Sequence, residues 1–181
     1  MLNLPDKKYK VIYADPPWLF RTRSDKGKEK SPEAHYDCMS LNDICNMPVK
    51  DIADENCVLL MWVCDPMLDQ ALKVIEAWGF KYKTVGFTWA KTNRKTLGFF
   101  TGLGYWTRGN PEMCLLATKG KPQRVSKSVP QLVVEQRREH SRKPDIMYNH
   151  IENLLDGPYI ELFARTKRKG WDCWGNQTDK F

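Results

Sequence analysis

Apolar and polar positions fall in alternating blocks along this chain. Val11-Ile12-Tyr13-Ala14 is an apolar run that ends at Asp15, and Pro16 and Pro17 forbid any continuation because neither can donate to a sheet ladder. A strand over this run stops at Asp15. Cys57 to Val63 is continuously apolar, as expected of a strand covered on both faces. Asp65 and Pro66 then open a helix whose Leu68, Ala71, Leu72, Ile75 and Trp78 share one face, with Gly79 as its stop. Phe87 to Ala90, Met113 to Thr118 and Pro158 to Arg165 read as further strands. Ile146, Ile151, Leu154 and Leu155 mark the core side of a helix ending near Gly157, and Ser40 with Asp43 predicts a capped short helix stopped by Pro48. The alternation of strand and helix patterns predicts an α/β fold with a mostly parallel sheet. Without internal repeats or a Gly/Ser-rich linker, residues 1–181 read as a single domain.

The polar blocks change the picture. Between Leu19 and Met39 no apolar period exists, and of the twelve residues Arg21 to Pro32 five are Arg or Lys. A loop of that length directly after the first strand reads as a lid or as a solvated insertion. Lys119 to Val129 reads as a second basic lid, and Arg137, Arg138, Arg142 and Lys143 precede a helix start, where cations are poorly placed for the macrodipole and suggest an anionic partner. A net charge of +7 favours a polyanion, nucleic acid first, although a lysine-rich solvated surface explains the sum equally well. Six cysteines and three histidines are dispersed without a C-x-x-C pair, which fits reduced packing thiols better than zinc. No apolar run is long enough to span a bilayer and Met1 to Lys10 lacks a signal-peptide core, so the expected location is the cytoplasm.

Candidate chemistry centres on Asp15. A carboxylate, free backbone carbonyls and the indole of Trp18 at a strand end suit a flat aromatic amine, since open α/β sheets bind ligands at that rim. Asp-Pro-Pro is also an ordinary turn and Trp an ordinary core residue. Glu161, inside an apolar strand, needs a partner, either a ribose diol or a salt bridge to Arg or Lys.

Asp15-Pro16-Pro17-Trp18 resembles the signature of the MT-A70 family of adenine-N6 methyltransferases. His35-Tyr36, Trp106-Thr107-Arg108, Ser141-Arg142-Lys143-Pro144-Asp145, Glu161-Leu162-Phe163-Ala164-Arg165 and Gly175-Asn176-Gln177 follow in the matching order. The resemblance implies one Rossmann-like S-adenosylmethionine-dependent methyltransferase domain, helices on both faces of its sheet, with the catalytic strand first and the cofactor strand last. It places the Glu161 strand at the sheet centre beside the strand ending at Asp15. It implies Asp15, Pro16, Pro17 and Trp18 as catalytic residues. Cofactor contacts fall to Asp15 at the amino group, Lys143 at the carboxylate, Glu161 and Arg165 at the ribose, Phe163 on the wall, and Asn176 and Gln177 at the ribose and adenine. Trp18, Arg21, Arg23, His35, Tyr36, Arg108 and Arg138 are implied for the substrate, with Trp18 or Tyr36 stacked on the target base.

Adenine N6 is a weak nucleophile, but hydrogen bonds from N6–H to Asp15 and to the Pro16 carbonyl aim its lone pair at an already activated sulfonium methyl, so alignment and electrostatics carry the reaction. Two departures matter. Only fourteen residues precede Asp15, and Thr166-Lys167-Arg168-Lys169 lacks the His found in messenger-RNA relatives. The short form resembles bacterial and phage members, which implies DNA as the substrate and a bacterial or phage-infected cytoplasm. RNA as the polymer, a non-catalytic nucleic-acid-binding subunit, and assembly as a homodimer or with a helper subunit stay open.

Overall fold

A computed structural model describes residues 3–19, 38–139 and 141–181. Among the described residues, seven strands, β1 (Tyr9–Ala14), β2 (Ala53–Val63), β3 (Lys81–Thr92), β4 (Glu112–Lys119), β5 (Leu132–Gln136), β6 (Tyr159–Leu162) and β7 (Trp171–Trp174), form one sheet in the order β5-β3-β4-β2-β1-β6-β7. β1 lies parallel to β2 and β6, β6 to β7, and β3 to β5, while β4 is antiparallel to both β2 and β3. β4 alone therefore runs against the rest, and the sheet is mostly parallel as expected. β6 does pair with β1, but it lies next to the edge strand β7; the sheet centre is β2 and its neighbours.

Period-two alternation divides the core between the two faces. Ile12, Leu59, Met61 and Leu115 point to one side, where they meet Ile44 of α1 (Leu41–Cys45), Val49 and Ile52 of α2 (Val49–Ile52), and Ala71, Val74 and Ile75 of α3 (Leu68–Ala77). Val11, Tyr13, Leu60 and Trp62 point to the other, against Met147, Tyr148 and Ile151 of α4 (Ile146–Leu154). With helices on both faces, residues 11–14 of β1 and 57–63 of β2 have no side open to water, which is why those runs are apolar, while Lys10, Glu55 and Asn56 stand at the exposed starts of the two strands. Buried Trp78 finishes α3 and donates its indole N–H to the Ile44 carbonyl at 2.8 Å, so the polar atom is satisfied where the ring is buried.

Ser40 caps α1 as expected, accepting from the Asp43 N–H at 3.1 Å, and the Asp43 carboxylate takes the Ser40 hydroxyl proton at 2.6 Å. Two helix faces differ from expectation. Asp65–Met67 forms a 3₁₀ turn, so α-helical phase begins at Leu68 and the buried set is Ala71, Val74, Ile75 and Trp78; Leu68 and Leu72 are exposed. On α4, Met147 and Tyr148 are buried and Ile146 is exposed. None of the helices among the described residues is long and apolar enough to cross a membrane.

Candidate active site

The carboxyl ends of β1 and β6 form one rim, and Asp15 continues β1 there with its N–H directed at the Leu162 carbonyl at 3.4 Å. Prolines 16 and 17 stop the ladder, and Trp18 fastens the turn: its N–H meets the Pro16 carbonyl at 2.9 Å and its indole N–H meets the Trp62 carbonyl at 3.0 Å. Trp18 is buried, only 5% exposed. This corrects the expectation that its ring stacks on a substrate base: the face is packed in the core, and the residue instead nails the Asp15 turn to β2.

Asp15 accepts from Lys143 Nζ at 2.8 Å, with the two side chains 18% and 14% exposed. Lys143 also reaches Glu112 at 3.3 Å, and Glu112 in turn pairs with Lys91 at 2.6 Å. Four half-buried charges thus alternate in sign from β3 through β4 to the rim of β1. Topology makes this chain: because β4 is antiparallel, its first residue, Glu112, lies at the rim where β1, β2 and β6 finish, with Met113 opposite Val63. Burial alone would raise the Glu112 carboxyl, but Lys143 and Lys91 outweigh it and hold it at about 2. Burial likewise opposes the Lys143 charge, and Asp15 and Glu112 overcome it, raising the ammonium above its ordinary value. Neither Glu112 nor Lys91 was expected at the site. Lys91 reads in sequence as part of a polar turn, yet it closes β3; an acid placed directly after Pro111 at a strand entry is the one signal that pointed to Glu112.

Within the protein, Glu161 has a partner that the sequence did not show. Tyr148 of α4 donates its hydroxyl to Glu161 Oε2 at 2.7 Å. Burial, with Asp15 nearby, pushes the Glu161 carboxyl up to about 7 despite the Tyr148 hydrogen bond. The cleft between these groups is lined by Tyr13, Asp15, Ser141, Lys143, Tyr148, Glu161, Phe163, Arg165 and Thr166, and the terminal Phe181 borders it. Ser141 (φ 59°) and Phe163 (φ 63°) are the non-glycine residues with positive φ among those described, and both lie in this lining. Such a backbone costs about 1 kcal/mol or more at each, and it collects where a site needs particular side-chain directions.

Asp15, Lys143, Glu161, Phe163 and Arg165 are therefore brought together. Asn176 and Gln177 are not in the lining, although Gly175 carries the chain so close to the segment after β6 that an added Cβ would stand 2.8 Å from the Ala164 carbonyl, and Gln177 holds Lys180 at 3.1 Å. Arg138 pairs with Asp145 at 2.6 Å and Arg142 with Glu139 and Asp145 at 3.2 Å each, so the basic run before α4 is largely neutralised internally. Arg108 is exposed on the β3–β4 loop, away from the cleft lining. Arg21, Arg23, His35 and Tyr36 lie outside the described residues. The expected lid Lys119 to Val129 leaves from the opposite rim, because β4 ends there with Lys119 facing Cys57, and it meets the end of α4 with Val125 N–H on the Leu154 carbonyl. It does not cover the cleft.

Comparison with known proteins finds relatives along nearly the whole chain. The MT-A70 family model matches residues 9–177. The chain is 34% identical over 191 residues to Type II methyltransferase M.MunI of Mycoplasma sp, a match covering 96% of this chain and 79% of that protein. It is 31% identical to the N(6)-adenosine-methyltransferase MT-A70-like protein of Arabidopsis thaliana, covering 92% of this chain and 23% of the relative. With the N(6)-adenosine-methyltransferase catalytic subunit METTL3 of Homo sapiens the identity is 29%, covering 95% and 28%. The chain thus spans about a quarter of the length of these two eukaryotic proteins.

Proposed function

Because this chain belongs to the MT-A70 family, we propose that the Asp15 cleft transfers the methyl group of S-adenosylmethionine to the N6 amino group of adenine in DNA. Adenine-N6 methylation with that cofactor is the family's chemistry; DNA as the polymer is our reading. The observation that carries it is the Asp15–Lys143 pair at the rim, faced across the cleft by Glu161.

The residues present suit the cofactor. Lys143 offers a cation to its carboxylate, Asp15 an acceptor to its amino group, and Glu161 an acceptor to the ribose hydroxyls, with Arg165 beside it and Phe163 as apolar wall. Asn176 and Gln177, just past the close approach at Gly175, lie outside the cleft lining, and the family resemblance alone assigns them to the ribose and adenine side. When bound, the cofactor supplies a sulfonium methyl that needs no further activation. Asp15 accepts one N6 proton as a hydrogen bond, and the Pro16 carbonyl, whose one lone pair is taken by the Trp18 N–H, offers the other. Both pull electron density onto the nitrogen and aim it, so alignment carries the rate. In a duplex the adenine must first leave the stack.

DNA is favoured because the match to a Type II methyltransferase covers most of that protein, whereas the matches named N(6)-adenosine-methyltransferase cover about a quarter. A cytoplasmic place of action goes with that substrate. Incubation with labelled cofactor and matched DNA and RNA oligonucleotides, followed by nucleoside mass spectrometry, tests the polymer. Labelled methyldeoxyadenosine is expected to dominate; labelled methyladenosine in excess would assign RNA instead.

Glu161 makes cofactor affinity depend on pH. Its folded-state carboxyl, at about 7, lies above its ordinary value, and ribose hydroxyl donors favour the ionised form, so binding releases a proton. Affinity is expected to rise about 3- to 10-fold as pH climbs through 7 and then to level off. The free cofactor's own amino group titrates at about 8, and its contribution is common to both proteins, so calorimetry on Glu161→Gln beside wild type isolates the residue. An identical pH profile in the two would remove Glu161 from the cofactor site.

A further inference from the structure

The loop joining β3 to β4 (residues 93–111) is braced by hydrogen bonds at its base yet presents exposed apolar side chains. Asn110 clamps its base, accepting from the Lys91 N–H at 3.0 Å and donating to the Lys91 carbonyl at 2.9 Å. Above that clamp the Gly102 N–H meets the Gly109 carbonyl at 2.8 Å and closes a lobe of six residues, 103–108. Gly104 sits so tightly against the Thr107 carbonyl that no Cβ fits there. On this braced lobe Trp106 is 98% exposed and Leu103 61% exposed. A tryptophan left in water on an ordered lobe forgoes the burial that usually accounts for its presence, which marks a contact surface.

Charge selects the occupant. Arg108 lies two residues from Trp106 on the same lobe, and Arg94 at the loop's root is anchored through its Nε to the Arg137 carbonyl at 2.8 Å. An exposed aromatic with an exposed arginine two residues along the same lobe fits a polynucleotide, whose bases stack while its phosphates take the cation. Placement agrees, since the loop rises from Lys91 and Glu112, the two residues that extend the Asp15–Lys143 pair along the rim.

We propose that Trp106 is a substrate-binding residue that stacks on a base flanking the target adenine. The inference rests on the nucleic-acid reading above and adds to it the residue that holds the neighbouring strand. Fluorescence anisotropy with mixed-sequence single-stranded and duplex DNA, on wild type, Trp106→Ala and Trp106→Phe, tests it, with cofactor binding by calorimetry and solution mass by light scattering measured on the same samples. Trp106→Ala is expected to weaken DNA binding about 10-fold or more, Trp106→Phe to restore most of it, and cofactor affinity and solution mass to stay as in wild type. Wild-type affinity in Trp106→Ala, or a drop in solution mass that assigns the lobe to a second protein copy, would overturn the stacking role while leaving the function standing. Failure of wild type to bind any polynucleotide would overturn both.

Discussion

Asp15→Asn is expected to lower methyl transfer about 100- to 1000-fold at saturating cofactor while leaving the fold in place. The size follows from removing one charged acceptor aimed at the reacting nitrogen in a partly buried site. The fold survives because the side chains around Asp15 keep other partners. Lys143 retains Glu112 at 3.3 Å, and the backbone of residue 15 stays anchored to β6 through the Leu162 carbonyl. Single-turnover transfer measured beside thermal melting separates the two effects. A variant that turns over at the wild-type rate rejects Asp15 as catalytic, and one that melts far below wild type makes it structural.

Lys143→Met should damage both binding and stability. The ammonium sits between two largely buried carboxylates, so its loss leaves Asp15 without its ion-pair partner and Glu112 with Lys91 alone. Breaking a buried pair by removing one member costs roughly 3–5 kcal/mol, and the surviving Lys91 contact puts this case at about 3 kcal/mol. Cofactor affinity is expected to fall about 100-fold, the scale for deleting one partner of a buried charged hydrogen bond. The variant also changes acid sensitivity. In wild type the Glu112 carboxyl is held at about 2, below its ordinary 4.5, so its stabilisation is present above pH 4.5 and disappears as pH falls toward 2. Without Lys143 that carboxyl moves upward, and the acid limb of the stability curve should move to higher pH. Denaturant titrations across that range check the shift; an unchanged acid limb would mean that Lys143 does not govern Glu112.

Much of this arrangement is legible in the sequence because local chemistry dictates it. A strand that meets two prolines must end, so Asp15 at the rim follows from residues 11 to 17 alone, and the acid inside the apolar β6 run had to find a partner. What the sequence hides traces largely to one tertiary fact, the reversed direction of β4. That reversal carries Glu112 to the Asp15 rim and sends the basic segment after Lys119 to the other one. Strand direction is set by pairing with β2 and β3, and no residue within β4 encodes it. Lys91 was hidden for the same reason, since only the approach of Glu112 turns an apparent surface lysine into a buried partner. Trp18 shows a further limit: an indole after a turn reads equally as a stacking face or a packing block, and the Trp62 carbonyl within its reach decided between them. The short β7 escaped notice because four residues between Gly170 and Gly175 carry too little periodicity to declare a strand.

The central claim is that Asp15 and its lysine direct a methyl group to one exocyclic nitrogen. Its most direct test is incubation of wild type and Asp15→Asn with trideuteromethyl-labelled cofactor and DNA oligonucleotides containing adenine, followed by fragmentation mass spectrometry of the released nucleosides. The account predicts label on adenine N6 from wild type and next to none from the variant. Label on a ring nitrogen or on cytosine, or equal labelling by the two proteins, would contradict it.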